Sequence, residues 1–345
     1  MTRNPSPAPD WGPPYLLYLG DASDDLAIKT ARGLAFWRPD WCIGQFRGPD
    51  CHASLDLRDM GFAEAKAAGA NTLVVGLANA GGEFTANNVR DIVAALEAGL
   101  NVASGLHQRL DSIPQVAEAA RRTGAALFDA RSFPYQLSVG KGLPRPGRRL
   151  LTVGTDCSVG KMYTTLAIER ELRKRGIAAD FRATGQTGIL IAGSGVPIDA
   201  LVADFISGGA EWLTPGRDDD GWDLIEGQGS LFHPSYAGVS LGLLHGAQAD
   251  ALVLCHEPLR PHLRGLPHYA LPSLKATLES NLQQARLTQP DVVAVGIALN
   301  TSRLTPQAAV DACKAAEDAL GLPCEDPVAS GVERITNQLL QCFPR

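Results

Sequence analysis

Short apolar runs alternate with longer amphipathic ones along the chain. Residues 15–20 (YLLYLG), 72–77 (TLVVGL), 101–106 and 126–130 have the length and near-continuous apolar character of strands buried on both faces. Residues 60–68, 89–98 and 113–122 carry the helical period. Each is followed by a glycine (Gly69, Gly99, Gly124), the residue that most readily turns left-handed to close a helix. Such alternation predicts a parallel sheet joined by right-handed crossovers. The pattern breaks at 141–149 (KGLPRPGRR), basic and rich in Pro and Gly, which reads as a linker. It then restarts, with strands at 150–153, 178–183, 223–226, 251–255 and 292–298 and helices at 160–175, 272–286 and 306–320. The expectation is two doubly wound α/β domains, residues 1–140 and 150–345, whose sequences do not repeat one another.

A chain of 345 residues is long enough for two domains that each bury a core. With 45% hydrophobic and 20% charged residues the composition is globular, so disorder is not the default. A net charge of −6 leaves no basic surface for nucleic acid or an anionic membrane, and neither partner is expected. A small anionic ligand held by local positive charge remains compatible. Seven cysteines stand singly without a CxxC pair, which argues against disulfide staples or structural zinc and for a reducing cytoplasm. The opening MTRNPSPAPDWGPP lacks the apolar segment of a signal peptide and reads as a flexible lead-in. No apolar run approaches the roughly 20 residues that span a bilayer. A soluble cytoplasmic homo-oligomer acting on a small molecule is expected.

The strongest chemical signal is RLLTVGTDCSVGKM, ending at Met162. An apolar strand enters a turn of Gly154, Thr155, Asp156, Cys157, Ser158 and Val159, then Gly160-Lys161, then a helix. Such a turn aims backbone N–H groups at one point in front of a helix N-terminus, and the lysine adds a point charge, so the loop is suited to phosphate. Two departures stand out. The usual first glycine is one place early, with Thr155 in its position, and Met162 replaces the Ser or Thr that would ligate Mg²⁺. A thioether cannot hold a hard cation, and Thr164 and Thr165 lie further along the helix. The loop therefore suits a ligand whose diphosphate is held but not broken, such as coenzyme A.

Other chemistry clusters at expected strand ends. Glu226 leaves a buried strand in WDLIEGQGS, flanked by glycines and followed by Ser230. Arg182 precedes ATGQTG, which contains Gln186, His233 lies in FHPSY, and His256, Arg260 and Arg264 in CHEPLRPHLR. Glu226, Asp156, His233 and His256 are candidate bases. Arg182, Gln186, Ser230, Arg260 and Arg264 are candidate substrate contacts, the arginines as carboxylate or phosphate grips. His256, Glu257 and His262 lack HExxH spacing, and Pro258 and Pro261 break any helix, so no metal is expected. In the first half Asp21, Lys29, Thr30, Trp37, Asn79 and His107 sit at expected strand ends without a fingerprint.

GTDCSVGKMYTT is similar to the P-loop of dethiobiotin synthetase and its relatives, and EGQGS to their later acidic strand end. Over residues 14–340 the chain more closely resembles the D-glutamate N-acetyltransferase family. The resemblance is carried by PYLLYLGDASD, KTARGLAFWRPDWCIGQFR, SGLHQRL, FRATGQTGILIAGSG, EGQGSLFHPSYAGVSLGLLHG and LCHEPLRPHLRGLP. It implies a Rossmann-like domain followed by a P-loop domain, and transfer of acetyl from acetyl-CoA to the amine of D-glutamate in D-amino-acid catabolism. On that reading residues 154–162 hold the acetyl-CoA, Ser230 or a loop N–H faces the thioester oxyanion, and Cys157 is a candidate covalent carrier. The alternatives are an Mg·ATP-dependent ligase or kinase of the dethiobiotin synthetase type, with Glu226 or Asp156 on the metal, and a non-catalytic nucleotide-binding regulator.

Overall fold

The computed structural model describes residues 11–344 except Leu26 and Asn79. The first ten residues of the expected lead-in, and Asn79, therefore lie outside the described residues. The chain forms two compact units. One runs to Pro134 and takes in Ile189–Pro197, and the other comprises Tyr135–Gly188 and the chain from Ile198 onward.

The first unit contains β1 (Tyr15–Gly20), α1 (Lys29–Trp37), β2 (Cys42–Arg47), α2 (Phe62–Ala67), β3 (Thr72–Val75), α3 (Ala86–Glu97), β4 (Asn101–Ser104), α4 (Pro114–Thr123) and β5 (Leu127–Asp129). Its parallel sheet has the order β2-β1-β3-β4-β5. β1 lies between two neighbours under helices, and Tyr15 to Leu19 are fully buried, which is why its sequence is an unbroken apolar run. The apolar pattern leaves out β2 and α1. β2 is an edge strand that alternates buried and wet positions, and α1 is short and interrupted by Gly33.

The second unit contains β6 (Arg148–Gly154), α5 (Lys161–Lys174), β7 (Ala179–Arg182), α6 (Gln186–Ala192), which continues out of this unit after Gly188, α7 (Ile206–Leu213), β8 (Trp222–Ile225), α8 (Ala237–Ala247) and β9 (Ala251–His256). There follow β10 (His262–Leu263), β11 (Leu266–Ala270), α9 (Leu274–Ala285), β12 (Val293–Leu299), α10 (Pro306–Leu320), β13 (Cys324–Glu325) and α11 (Glu333–Cys342). Its main sheet is parallel, in the order β13-β12-β9-β6-β8-β7, and β10 and β11 form a separate antiparallel hairpin. The chain leaves β6 toward β7 and β8 on one side and later fills β9, β12 and β13 on the other. The C-terminal end of β6 is thus a topological switch point, where open α/β sheets place their ligands.

The fold departs from the sequence expectation at 141–149. Lys141 and Gly142 donate their backbone N–H groups to Glu211, Arg145 donates to the carbonyls of Gly246 and Ala247, and Arg148 and Arg149 already belong to β6. The second unit holds this stretch through those bonds to α7 and to the C-terminal end of α8. Those two helices were not legible because they are glycine-rich and pack backbone to backbone; a Cβ on Gly246 would overlap Ser207.

Candidate active site

Gly154, the last residue of β6, pairs with Cys255 of β9, and Thr155 N donates to Cys255 O at 3.1 Å. A Cβ on Gly154 would lie 2.8 Å from Val159 Cγ2 and 3.3 Å from Lys161 Nζ. The loop can curl back over the strand end only because that position is bare, which accounts for a glycine one place early. Ser158 (φ 54°) and Gly160 (φ 101°) are both left-handed, and the latter value is one that glycine alone adopts freely. α5 then begins at Lys161.

Lys161 is 6% exposed. Its ammonium donates to Asp156 O at 2.7 Å and Gly229 O at 2.9 Å, and burial holds its pKa below the usual lysine value. Thr164 Oγ1 donates to Gly160 O, and Thr165 Oγ1 to Lys161 O with Thr152 Oγ1 3.0 Å away. Both hydroxyls donate into the helix that carries them, further along it than the position Met162 occupies.

Asp156 is completely buried. Its carboxylate accepts from Cys157 N, from Arg264 N and from the Arg260 guanidinium, each at 2.7 Å. Arg260 also donates to Cys157 O and Ser158 O and pairs with Glu257. Arg264 is exposed and its guanidinium donates to Ser158 Oγ. The segment after β9 is thus strapped across the phosphate loop. Arg260 is occupied in that strap, Asp156 serves as its anchor, and Arg264 is left with a single side-chain contact at the mouth of the loop.

Glu226, directly after β8, is 5% exposed. Its Oε2 accepts from Thr184 N at 3.0 Å and Gly185 N at 3.1 Å, and among the described residues nothing donates to Oε1. Burial pushes this carboxyl up to about 7 against the pull of the two amides and of Lys161. A Cβ on Gly188 would overlap Oε2, and one on Gly227 would overlap the backbone of Thr152. The glycines of ATGQTG and EGQG are what allow a carboxylate to fit here. Thr184 and Gly185, which hold it, lie in the ATGQTG stretch that the sequence marked, although only Gln186 of that stretch was expected to make a contact. Gln186 opens α6, and Ser230 Oγ donates to Thr155 O, bracing the loop from beneath.

The remaining candidates are placed differently. His233 is 2% exposed, with Nε2 3.2 Å from Arg264 O and Nδ1 accepting from Ser235 N, so both ring nitrogens are engaged. His256 Nδ1 lies 2.9 Å from Thr155 Oγ1. Arg182 donates to Asp223 at 2.8 Å and contacts Asp180, within an ion cluster that includes Arg217. Its guanidinium is neutralised there, while its carbonyl accepts from Glu226 N at 3.1 Å. Among the described residues the group of metal-type ligands is Asp156, Cys157 and His233, with one atom of each within 4.8 Å of the others, and not His256 with Glu257 and His262. Arg260 already compensates the one carboxylate in that group. Arg303, beyond β12, pairs with Glu257 at 3.5 Å and was missed because nothing in its local sequence marks it.

Residues 138–336 match a family described as a domain of unknown function, DUF1611_C, P-loop domain, and residues 48–133 match its companion DUF1611_N, Rossmann-like domain. A protein of Tritonibacter scottomollicae named D-glutamate N-acetyltransferase is 52% identical over 94% of this chain and 98% of its own length. One of the same name from Pseudoalteromonas sp is 48% identical over 95% and 98%. The crystal structure of a DUF1611 family protein from Anabaena variabilis superposes with a TM-score of 0.86 at 31% identity, covering 95% of this chain and 99% of that one. A Rossmann-like unit followed by a P-loop unit, matched along nearly its whole length, places this chain in the DUF1611 family.

Proposed function

We propose that the protein is a D-glutamate N-acetyltransferase that takes acetyl from acetyl-CoA. The observation that carries the reading is Met162 in the phosphate loop, a thioether in the place of the hydroxyl that would hold a metal. The curated relatives named for this activity support it.

The residues fit the co-substrate. The N–H groups around the left-handed Ser158 and Gly160, the start of α5 and Lys161 offer a positive cradle for a pyrophosphate that is gripped and not cleaved. Arg264 is the exposed guanidinium beside it for a phosphate or a substrate carboxylate. Glu226 supplies the base. D-glutamate arrives as an ammonium, whose nitrogen attacks only after losing a proton, and a buried carboxylate with a pKa near 7 accepts one at neutral pH. The amine then adds to the thioester carbonyl, and the C–S bond breaks with its electron pair leaving on the CoA sulfur. An Mg·ATP-dependent ligase would be expected to carry the Ser or Thr that Met162 replaces.

The experiment is a thermal melt with acetyl-CoA and with Mg·ATP, alongside an assay of D-glutamate-dependent CoA release. Stabilisation by acetyl-CoA and release of CoA are expected. Stabilisation by Mg·ATP alone, with ADP formed, would transfer the reading to the ligase class.

A further inference from the structure

The phosphate loop carries a threonine where such loops place their first glycine, and the fold gives that side chain a specific contact. Thr155 is fully buried, and its hydroxyl lies 2.9 Å from His256 Nδ1 at the end of the adjacent strand β9. Among the described residues the His256 ring makes no other hydrogen bond, so Nε2 is left over on a partly exposed side chain. His233, the neighbouring histidine, has both nitrogens engaged.

We propose that Thr155 is a positioning residue for His256, and that His256 Nε2 is a second proton acceptor in the acetyl transfer, working beside Glu226. The inference rests on the acetyl-transfer reading above. The contact fits either direction; in the assignment proposed here Nδ1–H donates to Thr155 Oγ1 and the lone pair lies on Nε2, the tautomer a base requires. The stoichiometry leaves two protons to be moved. An ammonium that becomes an amide gives up two protons, and the departing sulfur takes one back. Glu226 takes the first, freeing the nitrogen lone pair to attack. As the C–S bond breaks and its electron pair leaves on sulfur, nitrogen sheds the second proton to Nε2, which returns it to that sulfur.

The surroundings suit a neutral imidazole. Burial and the Arg260 charge lower the His256 pKa below its ordinary value. The charged groups around it are Arg260 and Glu257 on its own segment, Asp156 of the loop paired with Arg260, and Arg303 paired with Glu257. Glu226 is pushed the other way, burial favouring its neutral form as well.

The test compares Thr155→Val, Thr155→Ser and His256→Asn in the full-length protein, measuring acetyl-CoA dissociation constant, kcat and the pH profile of kcat with D-glutamate. Valine keeps the buried volume without the hydroxyl, and asparagine keeps a donor toward Thr155 but no base. Expected are unchanged acetyl-CoA affinity and a kcat lower by about 10²-fold for His256→Asn, and for Thr155→Val a loss of kcat that exceeds any loss of affinity and that serine restores. In both impaired variants the more acidic of the two ionisations on the acid limb disappears. Wild-type kcat and profile in either Thr155→Val or His256→Asn would overturn the inference. So would a Thr155→Val that weakens acetyl-CoA binding as much as turnover, since the bond would then only brace the loop. Should the Thr155→Val variant fail to fold, the partly exposed His256→Asn still decides the matter. Wild-type protein that transfers no acetyl to D-glutamate overturns the parent reading and this inference together, and needs no variant to show it.

Discussion

At Glu226 two opposing effects are readable in one side chain. Two amide N–H groups favour the carboxylate and burial disfavours it, and burial wins, leaving a pKa of about 7. As the base it must be ionised, so turnover should climb as pH rises through about 7 and fall below it. Glu226→Gln keeps the shape and removes the basicity; turnover should drop by on the order of 10²–10⁴ with acetyl-CoA affinity retained, read by steady-state kinetics and titration. The same shift has a consequence for stability. Between the ordinary value of 4.5 and about 7 the native state keeps a proton that the unfolded chain has released, so this group makes stability fall as pH rises through that window. At about 1.4 kcal/mol per pH unit the loss is on the order of 3 kcal/mol. Glu226→Gln lacks it, and the melting-temperature difference between variant and wild type should therefore widen in favour of the variant from pH 4.5 to 7. A constant difference would mean the carboxyl is ionised throughout.

At the scale of elements, the phosphate loop is held between two neighbours by few contacts. The segment after β9 reaches it through Arg260, whose guanidinium faces a fully buried Asp156. Arg260→Ala would strand that carboxylate. Breaking a buried pair from one side costs about 3–5 kcal/mol, so a clear drop in melting temperature is expected, along with weaker acetyl-CoA binding as the loop loosens. Arg260→Ala melting like wild type would show that the strap is ornamental to the loop. On the other side, α6 approaches Glu226 so closely that Gly188 leaves no room for a Cβ. Gly188→Ala should push Glu226 off its two amides, lowering turnover more than cofactor affinity. A variant with wild-type kinetics would show that the helix gives way instead.

For the whole molecule, ligand binding and folding are linked. A ligand at a hundred times its dissociation constant stabilises by about 2.7 kcal/mol, and acetyl-CoA should raise the melting temperature by that mechanism. Lys161→Ala removes a charge-assisted contact to phosphate worth about 1.5–3 kcal/mol, so acetyl-CoA affinity should fall about ten- to a hundred-fold and the ligand-induced shift should shrink with it. An unaltered shift in the folded variant would mean the loop is only a turn.

Much of this was already determined by the sequence, and the reason is locality. Strands such as β1 and β9, helices such as α5 and α10, and the phosphate loop are each written in contiguous residues, as apolar periods or as Gly160-Lys161 after a strand. The departures at Thr155 and Met162 were equally visible, and they pointed away from metal-assisted chemistry. Tertiary structure alone decided what each charged side chain faces. Asp156, Arg260 and Arg182 look alike as candidates in sequence, yet the first two hold one another across the loop and the third is neutralised by Asp180 and Asp223. His233 and His256 differ only in which nitrogens the fold leaves unbonded. The helices α7 and α8 hid for a related reason, because glycines that let backbones touch carry no periodic signal until the partner helix is present. Pairing between residues about a hundred positions apart, such as Asp156 and Arg260, is set by the strand order β9-β6-β8, and no local pattern encodes it.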